Sequence, residues 1–262
     1  MAALVSVIIS DLFERHLPET LVNLRQTADE PIEIIVKIDD DSKGMRYHLN
    51  EAAAEAQGKY LFKIDGHCIM TPHWDSYLKM ACQNANDMVV SRIRGIDEKN
   101  WVMQEIGFSF VTIRSDLSIV SCGDFVPDDP VVSETMASIG CGWMIHKDRY
   151  MELEGCWEEL GRYGNLGLEW ALKIWLSGGR LLVSRQVTCG HLFRTQCVRG
   201  VGRETVLQGR QILGSRFSAM QGPDQIHPMD WLAERFGKTR VEKDFLPASG
   251  VRKDGGTHSP VL

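Results

Sequence analysis

Long apolar runs are missing from this sequence. No stretch of its 262 residues approaches the ~18 that a membrane-crossing helix needs, and the N-terminus MAALVSVIISDLFERH has no basic region ahead of its apolar stretch. Neither a spanning helix nor a secretory signal is expected. The seven cysteines form no C-x-x-C pair, which argues against a disulfide framework or a zinc ribbon and fits a reducing, cytoplasmic compartment. No G-x-G-x-x-G follows the first apolar run and no G-x-x-x-x-G-K-[ST] occurs, which counts against a dinucleotide enzyme and a P-loop NTPase. An excess of positive charge is also absent. With 29 Lys and Arg against 35 Asp and Glu, the net charge of -6 gives no global reason to expect nucleic acid.

What is present reads as an ordinary folded chain, 44% apolar and 24% charged, long enough for a large α/β domain with its own core. The first ninety or so residues alternate β-branched runs with amphipathic stretches, the pattern of a parallel sheet with crossover helices. Strands are predicted at Val5 to Ile9, Ile32 to Ile38 and Lys59 to Ile64, with helices from Pro18 to Thr27 and Met45 to Gln57. Further along, strands are predicted at Phe108 to Ile113, Gly140 to Ile145 and Leu181 to Ser184. Helices are predicted at Gly167 to Leu176, Glu204 to Leu213 and Met229 to Phe236. The Gly-, Pro- and Ser-containing tail, 247–262, is expected to be disordered.

Two acidic clusters stand at strand ends. Strand two runs into Asp39, Asp40, Asp41 and Ser42, and strand three into Asp65, Gly66 and His67. In open α/β sheets ligands bind beyond the carboxyl ends of the strands, so both clusters fall where a nucleotide binds. An Asp and a His one residue apart at a turn can reach one ion. A carboxylate with an imidazole suits Mn²⁺ better than Mg²⁺, which prefers oxygen and water. Taken alone, D-x-H occurs by chance in many chains, and a strand-end Asp is often a turn residue.

Ordered motifs across residues 5 to 194 strengthen the reading. VSVIIS, IDDDS and AEAQGKYLFKIDGHC, followed by MASIGCGWMIHKDRY, GLEWALKIWLSGGRLLVS and CGHLFR, resemble family 2-like glycosyltransferases of the GT-A fold. The D-x-H wording is most similar to the polypeptide N-acetylgalactosaminyltransferases. The resemblance implies an α/β, Rossmann-like nucleotide-sugar transferase fold with a mixed central sheet flanked by helices. It implies a catalytic domain over 1–216, divided into a nucleotide half (1–94) and a sugar and acceptor half (95–216), with a helical extension over 217–246.

Carried over residue by residue, Asp65, His67 and His191 would bind Mn²⁺ or another divalent cation, which would hold the diphosphate of a UDP-sugar. Asp39 and Asp40 would face the nucleoside, with a solvated, helix-capping turn as the alternative, the better one for Asp41. Arg46 stands where a basic residue supports the nucleotide, or else on a solvated helix face. Gly142 and Trp143 match the strand lying against the donor sugar, although Trp143 can equally be core. At least one of Trp170 and Trp175 is expected to be simple packing. Arg194 is a candidate for the diphosphate, and Arg199 and Arg203 lie on a segment that could form a lid.

The main departure concerns the catalytic base. Inverting relatives carry an E-D pair where Leu166 and Gly167 stand here, while Glu169 matches a later acid of their pattern. An inverting transfer needs a base opposite the leaving group. A retaining transfer is therefore expected, with Glu169 orienting a sugar or acceptor hydroxyl.

The acceptor is not carried over, since the chain has neither the membrane anchor, the stem nor the lectin domain usual in that group. The chain also resembles small bacteriophage glycosyltransferases, some of which modify hydroxymethylated pyrimidines in DNA. Between Arg180 and Arg216 there are seven arginines (Arg180, Arg185, Arg194, Arg199, Arg203, Arg210, Arg216), no lysine and one acid, Glu204, a stretch able to meet DNA phosphates. Hydroxymethylated DNA is the preferred acceptor. A bacterial glycan or protein acceptor, a nucleotidyltransferase and a non-catalytic nucleotide-sugar binding protein remain as alternatives.

Overall fold

The first strand, β1 (Val5–Asp11), is β-branched on both faces. Ile8 enters one apolar layer, and Val5, Val7 and Ile9 enter the other. A strand buried on both sides belongs inside a sheet covered by helices on each face. The computed structural model, which describes residues 4–39, 42–193 and 202–237, has that arrangement. After β1 come α1 (Leu17–Thr27), β2 (Glu33–Ile38), α2 (Met45–Glu55), β3 (Tyr60–Lys63), β4 (Cys68–Met70), α3 (Trp74–Ala81) and β5 (Met88–Asp97). Then follow β6 (Val102–Phe108), β7 (Phe110–Ile113), β8 (Ile119–Gly123), β9 (Val132–Glu134), β10 (Trp143–His146) and α4 (Lys147–Glu152). The rest comprises α5 (Leu166–Leu176), β11 (Leu181–His191), α6 (Arg203–Ser218) and α7 (Met229–Gly237).

The large sheet runs β2-β1-β3-β10-β5-β11-β4, with β6 paired to β5 and β9 to β11. β1 is parallel to β2 and β3, and β11 is parallel to β5. β10 is antiparallel to both of its neighbours, and β4 is antiparallel to β11. The expected mixed sheet between helical layers is therefore present. On one face α2 and α5 enclose Leu49, Trp143 and Trp170; on the other, α1 and α3 enclose Leu24, Phe62 and Trp74.

Helix α5 is apolar nearly all round, and every one of its residues from Leu166 to Leu176 is buried. A helix hydrophobic on all sides is an internal one, and α5 is the central strut of its layer. Trp170 and Trp175, at 0% and 1% exposure, both serve packing. Trp175 meets Phe236 of α7 with ring centroids 5.2 Å apart, so the part of the helical extension up to residue 237 joins the main core. The boundary expected at 216 falls inside the unbroken helix α6. The tail, 247–262, lies outside the described residues. Among the described residues no helix is long and apolar enough to cross a membrane.

Three elements differ from expectation. Phe108 to Ile113 is not one strand: Phe108 ends β6 in the large sheet, and Phe110 begins β7 in a separate two-stranded sheet. Ser109 makes the change, its N–H donating to Gly123 O and its hydroxyl to Asp124 Oδ1. β10 starts at Trp143 rather than at residue 140: Gly140 and Gly142 take positive φ values of 87° and 69°, outside the extended conformation of a strand, although Gly142 still bonds to Lys63 and Ser91 on either side. β11 runs unbroken to His191 through a register shift between Ser184 and Thr188. That extra length carries the strand to the site.

Candidate active site

The chain leaves β3 at Lys63 and turns through Asp65, Gly66 and His67 into β4. Gly66 fits this turn because a Cβ there would stand 3.2 Å from both Asp11 Oδ1 and the Glu14 side chain. Pairing of β4 with β11 sets Cys68 opposite His191, and Leu192 N donates to His67 O at 3.2 Å. His67 and His191, 124 positions apart, thereby meet with Nε2 atoms 3.3 Å from each other. The Oδ2 atom of Asp65 lies 3.2 Å from His191 Nε2. Each of the three side chains keeps some access to solvent, 21% for Asp65, 12% for His67 and 14% for His191.

Lys63 is the partner that sequence reasoning missed. Its buried ammonium donates to Asp65 Oδ1 at 2.5 Å and to Gly140 O at 2.8 Å. Burial pushes the Asp65 carboxyl up, but the Lys63 ammonium, the His191 hydrogen bond and the neighbouring His67 outweigh it and hold Asp65 well below 3.8. Burial lowers His191, yet its hydrogen bond to Asp65 and the charges around it raise it above 6.5 on balance. Glu14 was also missed. Its Oε2 lies 3.4 Å from His67 Nδ1, in ion-pair range though without hydrogen-bond geometry.

These donors fit a divalent cation. One carboxylate oxygen and two imidazole nitrogens lie within 4.8 Å of one another. Metal bonds of about 2.1 Å at right angles set neighbouring donors about 3 Å apart, close to the spacings found here. The Nδ1 atoms of His67 and His191 are buried without hydrogen-bond partners, so each Nε2 is fixed by the fold rather than by a bond on the far side of its ring.

The remaining candidates are placed differently. Asp39 stands at the end of β2, fully buried, with its N–H bonded to Asp11 O at 2.7 Å and its Oδ1 3.7 Å from His48 Nε2. Asp40, Asp41, Arg194 and Arg199 lie outside the described residues. Arg46 is neither a solvated residue nor open to a nucleotide: at 1% exposure it donates to Glu169 Oε2 and to the carbonyls of Gly161 and Gly164. Glu169 is likewise unavailable to a sugar hydroxyl. Its other oxygen accepts from Trp157 N at 2.6 Å and from Lys173 Nζ at 2.9 Å, and the residue is 0% exposed.

Trp143 is core, tilted against Trp170 at 5.5 Å with its indole N–H on Gly140 O. Gly142 is required by crowding within the protein, since a Cβ there would lie 2.3 Å from Ser91 Oγ and 3.3 Å from Cys189 Cβ. In the arginine-bearing stretch, Arg180 is bound to Asp87, Arg185 to the carbonyl of Pro127, and Arg216 to Glu159. Arg203 opens α6.

Known structures share this architecture. GalNAc-T7, crystallised with UDP, GalNAc and Mn²⁺, superposes with a TM-score of 0.68 at 16% identity over 90% of this chain. The match spans 57% of the GalNAc-T7 chain. S. aureus TarS 1-349 in complex with UDP-GlcNAc gives a TM-score of 0.61 at 12% identity, covering 93% of this chain and 78% of that one. At such identities the likeness establishes the GT-A fold. No curated protein sequence matches the chain. Residues 7–148, more than half of the chain, match the description of glycosyl transferase family 2. The chain belongs to glycosyl transferase family 2.

Proposed function

We propose that this glycosyltransferase moves a sugar from a UDP-sugar to a hydroxyl acceptor with retention of configuration, using a divalent cation, Mn²⁺ by preference, bound by Asp65, His67 and His191. The convergence of those three side chains at the carboxyl end of β3 carries the reading. The Mn²⁺ in the GalNAc-T7 crystals and the uridine nucleotides in both related structures support it. On this reading residues 1–94 hold the nucleotide, and the part of the chain that follows holds the sugar and the acceptor.

When bound, the cation supplies Lewis-acid stabilisation to the negative charge on the departing diphosphate. The chain's own residues prepare that place. Lys63 fixes Asp65 and keeps it ionised, while the β4–β11 pairing directs both imidazole Nε2 atoms to one point. Retention is supported by α5, whose charged residues, Glu169 and Lys173, are both enclosed, leaving that helix no base to offer an acceptor. The acceptor oxygen then bonds to the anomeric carbon on the face that the phosphate leaves. Its proton passes to the departing phosphate oxygen.

For the acceptor, the hydroxymethylpyrimidine of DNA is the reading supported by the lysine-free, arginine-bearing stretch 180–216. The internal bonds of Arg180, Arg185 and Arg216 narrow that support to the rest of the stretch. Incubation with Mn²⁺, a panel of nucleotide sugars and hydroxymethylated DNA, followed by weighing the digested nucleosides, tests the whole reading. A hexose-sized gain on the modified base, with the donor's anomeric configuration kept, is the expected result. Donor hydrolysis without that gain transfers the acceptor to glycans or proteins, and an inverted product overturns retention.

A further inference from the structure

Beneath the Asp65, His67 and His191 cluster lies a second convergence, built from sulfur. Cys68 in β4, Cys141 in the loop before β10 and Cys189 in β11 are exposed by 0%, 2% and 0%. Their Sγ atoms lie within 4.8 Å of one another, Cys68 and Cys141 being 3.6 Å apart. Cysteine is a common core residue, and a single buried thiol needs no explanation beyond packing. Here three come from separate segments to one point, at spacings that suit a shared ion: with metal–sulfur bonds of about 2.3 Å, three sulfurs around a cation stand about 4 Å apart.

The thiols belong to the apolar layer that also holds Phe62 and Trp74, and one polar side chain near Cys189 stands out. Ser91, 2% exposed, has a hydroxyl without a hydrogen-bond partner. That oxygen lies 2.3 Å, and Cys189 Sγ 3.5 Å, from the point where a Gly142 Cβ would sit. Ser91 and Cys141 also line one cavity of about 10 Å³, room for roughly one water. The Lys63 ammonium is bonded to Gly140, the residue before Cys141, so the Lys63–Asp65 ion pair lies beside the thiols.

We propose that Cys68, Cys141 and Cys189 form a second metal site, for a soft d10 cation of the Zn²⁺ class, with the fourth position open toward Ser91. Each thiol releases its proton to solvent as the ion enters. Sulfur ligands select such a cation over Mn²⁺, which prefers the oxygen and nitrogen donors above. Because Cys68 adjoins His67 and Cys189 lies two residues before His191, the ion ties together the two strands that carry the histidines.

The test uses the full, reduced chain in saturating Mn²⁺, titrated with Cd²⁺ as probe and followed by thiolate-to-metal charge-transfer absorption. In a background with Cys82, Cys122, Cys156 and Cys197 changed to Ser, one equivalent is expected. Cys141→Ser in that background should weaken binding at least tenfold, while His67→Ala should leave it intact. Absence of the band, or a band unaffected by Cys141→Ser, overturns the proposal. Cadmium X-ray absorption on the wild-type protein gives the answer without any variant: three sulfur neighbours are expected, and a shell of oxygen and nitrogen overturns the site.

Discussion

Arg46 and Glu169, separated by 123 positions, meet inside the core with Arg46 Nε 3.2 Å from Glu169 Oε2. The contact fastens α2 to α5, and Lys173 completes the set from the other carboxylate oxygen. A buried charge costs several kcal/mol of lost hydration and persists where its partners return that cost. Glu169→Ala would strand two cations at once. The expected loss is about 3–5 kcal/mol, read by chemical denaturation. A catalytic role would instead give a variant of ordinary stability with a collapsed kcat.

Substitutions at the two histidines should behave in the opposite way. Both side chains reach solvent and neither is a main part of the core, so His67→Ala and His191→Ala should fold normally. Mn²⁺-dependent turnover should fall more than about a hundredfold, beyond the ~10–100-fold that loss of an outer partner causes. Glu14→Gln, which alters the group behind His67 Nδ1, should weaken Mn²⁺ binding by about tenfold, measured by calorimetry. Full activity in either histidine variant would refute the metal site.

The Asp65–His191 contact also sets a pH dependence for the metal-free protein. Asp65 is held below 3.8, so its contribution to stability is present above that value and is lost as pH falls through the folded one. His191 is raised above 6.5, so its contribution is complete below 6.5 and is lost as pH rises through the folded value. Melting temperatures in EDTA should therefore exceed those of His191→Ala most between these limits. Mn²⁺ affinity should run the other way on the alkaline side, rising with pH as His191 becomes neutral.

Gly142→Ala tests the crowding beneath β10. The backbone there has φ of 69°, and the new methyl would press on Ser91 Oγ at 2.3 Å. A loss of about 1–3 kcal/mol from backbone strain is expected, with more if the sheet cannot yield. A neutral result in a melting experiment would mean that Ser91 moves freely.

The strands and helices up to residue 64 were legible because their signals are local, β-branched runs, Pro18 opening α1 and strand-end acids, whereas the short β4 was not. The convergence of Asp65 with His67 and His191 was legible through ordered motifs. Lys63 was not, because a lysine closing an apolar strand carries no mark of the carbonyl and carboxylate waiting for it. Arg46, read as a nucleotide contact or a solvated helix face, and Glu169, read as orienting a hydroxyl, misled for a similar reason: neither residue type shows in sequence that it is sealed in an ion pair with a partner from the other half of the chain. The three thiols, at 68, 141 and 189, are brought together by sheet order alone. The break at Ser109 is equally a tertiary event, since the sequence runs on apolar across it.

The Lys63 ammonium has an electrical consequence for the proposed chemistry. Its charge cancels that of Asp65, so with neutral imidazoles the three proposed ligands and Lys63 carry no net charge together, and negative charge comes from Glu14 behind His67. A lone cation should therefore bind more weakly than it would beside an uncancelled Asp65, and a diphosphate without a cation more weakly still. Each supplies the charge that the other lacks, and by linkage each must raise the other's affinity by the same factor. Donor and cation would thus favour each other's loading, and Mn²⁺ should be held more tightly while donor is bound than between turnovers.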